Sequence, residues 1–250
     1  MTPFSFFKKR YSTAMRYEPI KTRIMQPPKD DLFAVFDESL HGVEEGDIVA
    51  ISSKVVAIHE GRCVPLNRAD KKTLIKEESD LVIERPYWGI PLTITRSAFI
   101  GAAGIDESNS DGYYTLLPVD AFKNAKEIHS YLVNRFNIKN IGVLIIDSHS
   151  APLRRGATGV SIGFWGFKPT KSHVGKPDLF GREMRIEVSN VADALAAGAN
   201  IVMGETNESQ PITIIKGAPG IEFTDTNQKD ELFVGMEKDT FRVLYEDFLT

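Results

Sequence analysis

Three acidic side chains stand where the chain leaves an apolar or glycine-rich segment. Asp106 lies in Gly101-Ala-Ala-Gly-Ile-Asp-Glu-Ser-Asn109. The small residues there let backbone approach a ligand closely and place Asp106 and Asn109 in one turn. Asp147 directly follows the apolar run 141–146 and precedes Ser148. A carboxylate at the end of a central strand sits at a sheet edge, where ligands commonly bind. With the neighbouring hydroxyl it offers hard oxygen donors suited to magnesium or manganese. Glu205 sits in Val202-Met-Gly-Glu-Thr206. Each has a plainer reading alone: a solvated Asx turn, an end cap, a loop acid. Together they suggest one divalent-metal site of the kind that accompanies phosphates.

Arg154 and Arg155 lie in Leu153-Arg-Arg-Gly156. Guanidinium forks beside glycine suit bidentate binding of phosphate or carboxylate, and equally suit a plain surface pair. The chain has no Walker loop and no His-x-x-x-His. Of five dispersed histidines, only His149 falls near the proposed site. Cys63 is the single cysteine, so an internal disulfide and a cysteine-based zinc site are excluded. This fits a reducing cytoplasm, with Cys63 as a small buried hydrophobe.

The elements that must position these groups read as follows. Residues 30–40 carry apolar positions at helical spacing. Residues 48–58 are rich in β-branched side chains and predict a strand, bent near Ser52-Ser53-Lys54. Residues 71–80 predict a short polar helix, and 92–100 a strand. Asp120 caps a helix to Phe136. Residues 141–146 predict a central strand buried on both faces. Ser189 caps a helix to Ala199, 212–215 form a strand, and 239–249 a closing amphipathic helix. Strands and helices mix without strict alternation, which predicts an α+β fold of mixed β-sheets with flanking helices. A weak boundary near 61–80 suggests two interwoven lobes within one domain over 15–250. Residues 1–14 stand apart as a flexible tail or upstream extension. With 42% apolar and 26% charged residues, the 250-residue chain has the balance of a globular protein. A net charge of −4 without a basic stripe argues against nucleic acid. No apolar run approaches the roughly 18 residues of a membrane span.

Taken in order, several segments resemble the coenzyme F420 gamma-glutamyl ligases. They are Glu45-Gly-Asp47, Ser53-Lys54, Glu60-Gly-Arg62, Ala103-Gly-Ile-Asp-Glu-Ser-Asn109, Ile145-Ile-Asp-Ser148, Arg155-Gly156, Gly175-Lys-Pro-Asp-Leu-Phe-Gly-Arg182, Val191-Ala-Asp193 and Met203-Gly-Glu205. The similarity runs from about Tyr17 to Gly217. It implies an intertwined homodimer and a GTP-dependent ligase. Such an enzyme joins the amino group of L-glutamate to the carboxylate of a deazaflavin coenzyme precursor, with magnesium or manganese required and potassium helpful. By resemblance, Asp106, Asp147, Ser148 and Glu205 fall on metal positions. Ser53, Lys54, Asn109 and the loop with Met203, Gly204, Thr206 and Asn207 fall on nucleotide positions, and 23–26 more weakly so. Arg154 and Arg155 are candidates for holding an anionic substrate.

The chain also departs from the family pattern. Ile58 stands where a lysine is common. The loop after Glu205 reads Thr206-Asn-Glu-Ser-Gln210 where glycines are usual, and His149-Ser150 replaces Asn-Gly. The metal set is intact while the nucleotide set is altered. Three other readings therefore stay open: a ligase for a different acid, a metal-dependent phosphohydrolase, and a non-catalytic nucleotide-binding regulator.

Overall fold

The computed structural model describes residues 14–85 and 89–249. The expectation for residues 1–13 lies outside the described residues. The fold is α+β, as the mixed pattern predicts. Its body is a five-stranded sheet of β1 (Arg16–Ile20), β12 (Ile212–Lys216), β2 (Ile48–Ser52), β8 (Gly142–Ser150) and β9 (Ala157–Trp165), in that spatial order. Only the β2–β8 pair is parallel, in register from Ile48 against Gly142 to Ser52 against Ile146.

One sheet face packs against α1 (Leu32–Ser39), α2 (Ser53–Glu60) and α4 (Ala121–Phe136). The other packs against α5 (Val191–Met203). The residues of β8 from Val143 to Ile146 are fully buried because both faces are covered. β9 passes between helices on opposite faces and switches its facing at a β-bulge near Ile162. Two glycines make the close approaches possible. A Cβ on Gly159 would stand 2.3 Å from the Ala196 carbonyl oxygen of α5, and one on Gly163 would stand 2.6 Å from the Ala121 backbone of α4.

A smaller lobe is inserted between α2 and α4. It holds β3 (Cys63–Pro65) paired with β7 (Tyr113–Thr115), helix α3 (Lys71–Glu78), and a sheet of β4 (Leu81–Ile83), β5 (Leu92–Thr95) and β6 (Ala98–Gly101). Its core is Leu74, Ile75, Ala102, Ala103, Ile105 and Leu116. Glu78 bridges Arg62 and Arg96, each at 2.6 Å, and so ties α3 to the turn between β5 and β6. Last comes a two-stranded ribbon, β10 (Thr170–Ser172) against β11 (Val188–Asn190).

Four sequence expectations are corrected. Residues 48–58 are a strand and then a helix: β2 ends at Ser52 and α2 begins at Ser53, closing on Gly61 in the left-handed region. Residues 92–100 are a hairpin whose turn puts Arg96 and Ser97 at positive φ. The helix expected from Ser189 is capped by Asn190, whose side chain accepts from the Asp193 amide, and runs on to Met203. Residues 239–249 form short 3-10 turns, Arg242–Leu244 and Glu246–Phe248, because only Tyr245 finds a buried seat there. No helix among the described residues is long and apolar enough to cross a membrane.

Candidate functional site

The parallel pair β2–β8 sends both strands to the same end of the sheet. At that end β2 turns directly into α2, and β8 delivers Asp147 and Ser148. A helix N-terminus beside the carboxyl ends of parallel strands is where phosphate-bearing ligands commonly settle. A cavity of about 640 Å³ opens there. Lys54, Asp106, Asn109, Asp147, Ser148, Met203, Gly204, Glu205, Thr206 and Asn207 all line it. So do residues 23–26 and Ile58. Residues about a hundred positions apart thus meet on one surface.

Lys54 projects from the first turn of α2 to the loop that carries Asp106. Its Nζ donates to Asp106 Oδ2 at 2.5 Å and to the Ser108 carbonyl at 2.8 Å. The Ser108 amide and hydroxyl each donate to Asp106 at 2.8 Å. Burial alone raises the Asp106 carboxyl, but the Lys54 ammonium and the Ser108 donors outweigh it and hold the group below its ordinary value.

Asp147 behaves in the opposite way. Burial at the cavity floor pushes its carboxyl up to about 6, against the pull of the Ser148 amide and the Ser53 hydroxyl, while the nearby Asp106 charge adds to the rise. Ser53 itself is buried behind the floor and does not line the cavity. It acts on Asp147, not on the open space.

The third wall comes from the end of α5. The helix stops at Gly204, and Asn200 Nδ2 holds Glu205 Oε1 at 2.8 Å. Asn109 Nδ2 donates to the Thr206 carbonyl at 2.7 Å, so the loop of Asp106 is fastened to the loop of Glu205 across the cavity. Glu208 takes the Thr206 amide at 2.8 Å and its hydroxyl at 3.1 Å.

The donors suit a hard divalent cation. Asp106, Asp147, Ser148 and Glu205 offer oxygen donors to one cavity, and Asp147 is a carboxylate whose surroundings favour an added positive charge. Among the described residues no three His, Cys, Asp or Glu side chains gather into a closed metal cage.

Two further expected residues stand elsewhere. Arg154 and Arg155 sit exposed on the turn between β8 and β9, away from the cavity of their own chain. Sequence reasoning passed over Ser108 and Asn200, which fix the two outer carboxylates. Asn200 carries a signal in hindsight, as a polar residue between Ala199 and Ile201 near the end of an apolar helix.

Comparison with known proteins adds a family. Residues 19–217 match the model for F420-0:Gamma-glutamyl ligase. A coenzyme F420:L-glutamate ligase of Methanopyrus kandleri is 32% identical, over 91% of this chain and 98% of that protein. Proteins of the same description from Methanococcus maripaludis and Halorubrum lacusprofundi are each 34% identical, over 82% and 85% of this chain and 88% and 90% of their own lengths.

Proposed function

The chain belongs to the F420-0:gamma-glutamyl ligase family, and on that premise we propose that it joins L-glutamate to the carboxylate of a coenzyme F420 precursor. The proposed phosphoryl donor is GTP, with magnesium or manganese bound and potassium assisting. The observation that carries this reading is the meeting of Asp106 and Asp147 beside the N-terminus of α2, in one cavity that also holds the Glu205 loop.

A carboxylate does not react with an amine unaided. In the proposed route the substrate carboxylate oxygen attacks the γ-phosphorus of GTP, and GDP leaves. The resulting acyl phosphate is attacked by the glutamate amine, inorganic phosphate departs, and the amine loses a proton. Bound metal neutralises charge on the transferred phosphoryl group. The protein's share is positioning. The α2 amides and Lys54 face the phosphates, Asp106 and Asp147 hold the cation, and the 203–210 loop closes over the nucleotide, fastened by Asn109. Asn200 holds the Glu205 carboxylate at the same cavity, where it would serve a bound cation. The proposed setting is the cytoplasm, as a homodimer acting on small molecules.

Labelling the precursor carboxylate with heavy oxygen tests the acyl phosphate. One labelled oxygen is expected in the inorganic phosphate released per amide formed. Unlabelled phosphate beside normal amide formation excludes the intermediate.

A further inference from the structure

A second hollow, of about 350 Å³, lies where the smaller lobe meets the body, and it shares no lining residue with the cavity at Asp147. Its volume falls in the range of about 300–1,000 Å³ usual for small-molecule sites. Three stretches distant in sequence wall it: the β5–β6 turn with Arg96 and Ser97, the start of α4 with Phe122, and Lys229 from the segment after β12. Leu117 and Ile162, both buried, complete its apolar side.

The hollow holds positive charge that the chain itself does not use up. Arg96 Nη2 donates to Glu78 at 2.6 Å, and Nε donates to the Val119 carbonyl at 3.4 Å. Nη1 is buried and has no hydrogen-bond partner, an arrangement that is costly unless an acceptor arrives. Glu78 also serves Arg62, so one carboxylate is shared between two guanidinium groups. Lys229 makes no ion pair among the described residues, and its Nζ stands 5.2 Å from the centre of the Phe122 ring. The opposing acid in the lining is Asp120, whose Oδ1 caps α4 by accepting from the Phe122 and Lys123 amides at 3.1 and 3.0 Å. Asp80 accepts from the Arg96 amide but does not line the hollow. Two cations thus face one carboxylate that is already engaged.

We infer that this hollow binds a small organic anion, with a phosphate or carboxylate head between Arg96, Lys229 and the Ser97 hydroxyl and an apolar body against Leu117, Phe122 and Ile162. The head supplies the acceptor that Arg96 lacks and the counter-charge that Lys229 lacks. Once bound, the anion ties the smaller lobe, α4 and the segment after β12 to one another. The site is separate from the one proposed to hold nucleotide, and the inference does not rest on the ligase reading.

Calorimetric titration of the full chain with phenyl phosphate, benzoate and inorganic phosphate, at one salt concentration, tests it. Phenyl phosphate or benzoate should bind the parent protein, and the tighter of the two identifies the head as phosphate or carboxylate. Lys229→Met keeps an apolar stem on Phe122 and removes only the charge, so it should weaken that binding at least tenfold while thermal unfolding is unmoved. Arg96→Gln should weaken it at least as far, and Lys229→Met carries the test alone if the loss of the Glu78 contact unfolds that variant. Lys54→Met, in the other cavity, should leave the affinity unchanged. Failure of both organic probes to bind the parent, or an unchanged affinity in Lys229→Met, overturns the site. Binding weakened by Lys54→Met and not by Lys229→Met places the anion in the cavity at Asp147 and also overturns it. Inorganic phosphate binding as tightly as the organic probes overturns the role of the apolar wall.

Discussion

The Lys54 ammonium lies 2.5 Å from Oδ2 of Asp106 and joins the start of α2 to a loop of the smaller lobe. The contact places a cation and a carboxylate side by side at the mouth of the cavity. Asp106 can neutralise Lys54 or help hold a metal ion, and Lys54 can serve Asp106 or a phosphate. On the proposed function, a nucleotide arriving with its metal would satisfy both.

Lys54→Met should therefore weaken GTP binding by about ten- to a hundredfold, the scale of one lost hydrogen bond between charged groups. The Asp106 carboxyl should take up protons more readily once its main cationic partner is gone. Calorimetric titration at one salt concentration measures the first effect. Unchanged affinity would place the phosphates elsewhere in the cavity.

Ile58 is 3% exposed and packs in the main core while also lining the cavity. Ile58→Lys should tighten GTP binding in the presence of magnesium by about ten- to a hundredfold, if the ammonium reaches the phosphates. The same change should lower thermal stability, because a buried apolar side chain is replaced by one that must lead its charge out to the cavity. Equal affinities in the two proteins show that position 58 does not face the phosphates, or that another cation already compensates.

Gly159→Ala and Gly163→Ala should each destabilise the fold by roughly 1–3 kcal/mol, since the added methyl meets helix backbone that must move. The cost should appear as a lower urea midpoint with little change in slope. A midpoint within error of the parent contradicts the close packing of α4 and α5 on β9.

Glu78 gives the pH-dependent expectation. Burial raises its carboxyl, but Arg62 and Arg96 more than offset this and leave it below the ordinary 4.5. A carboxylate depressed in the folded state binds fewer protons folded than unfolded. Its contribution is thus fully present above pH 4.5 and lost as pH falls towards the folded value. Glu78→Gln should destabilise the protein by about 1–3 kcal/mol at neutral pH. It should also show a shallower loss of stability below pH 4.5 than the parent. An identical acid profile in the two proteins removes Glu78 from the account.

The sequence already showed much of this framework. The apolar run ending at Asp147 marks β8 because a strand covered on both faces needs no polar side chain, and Asp120 caps α4 as its position suggests. α2 was hidden by composition: Val55, Val56 and Ile58 favour a strand locally, and packing against the sheet overrides that preference. The β5–β6 turn was hidden because Arg96 and Ser97 hold a backbone conformation that glycine or asparagine usually announces. The closing segment failed the other way. Phe241, Val243 and Leu244 have helical spacing, but they remain exposed, so nothing stabilises a helix there. In the site, Asp106, Asp147 and Glu205 were legible as acids ending structured segments. Ser108 and Asn200, which steer two of them, were not, since their roles depend on side-chain contacts that spacing does not reveal.

The central claim is that this cavity couples nucleotide cleavage to amide formation. The direct measurement is GDP release from GTP with magnesium and the precursor acid, in the presence and absence of L-glutamate, with the amide quantified alongside. The account predicts one GDP per γ-glutamyl amide when all substrates are present, sustained turnover only with L-glutamate, and loss of both products in Asp147→Asn. GDP released at the same rate without L-glutamate, or amide formed without GTP, would contradict it.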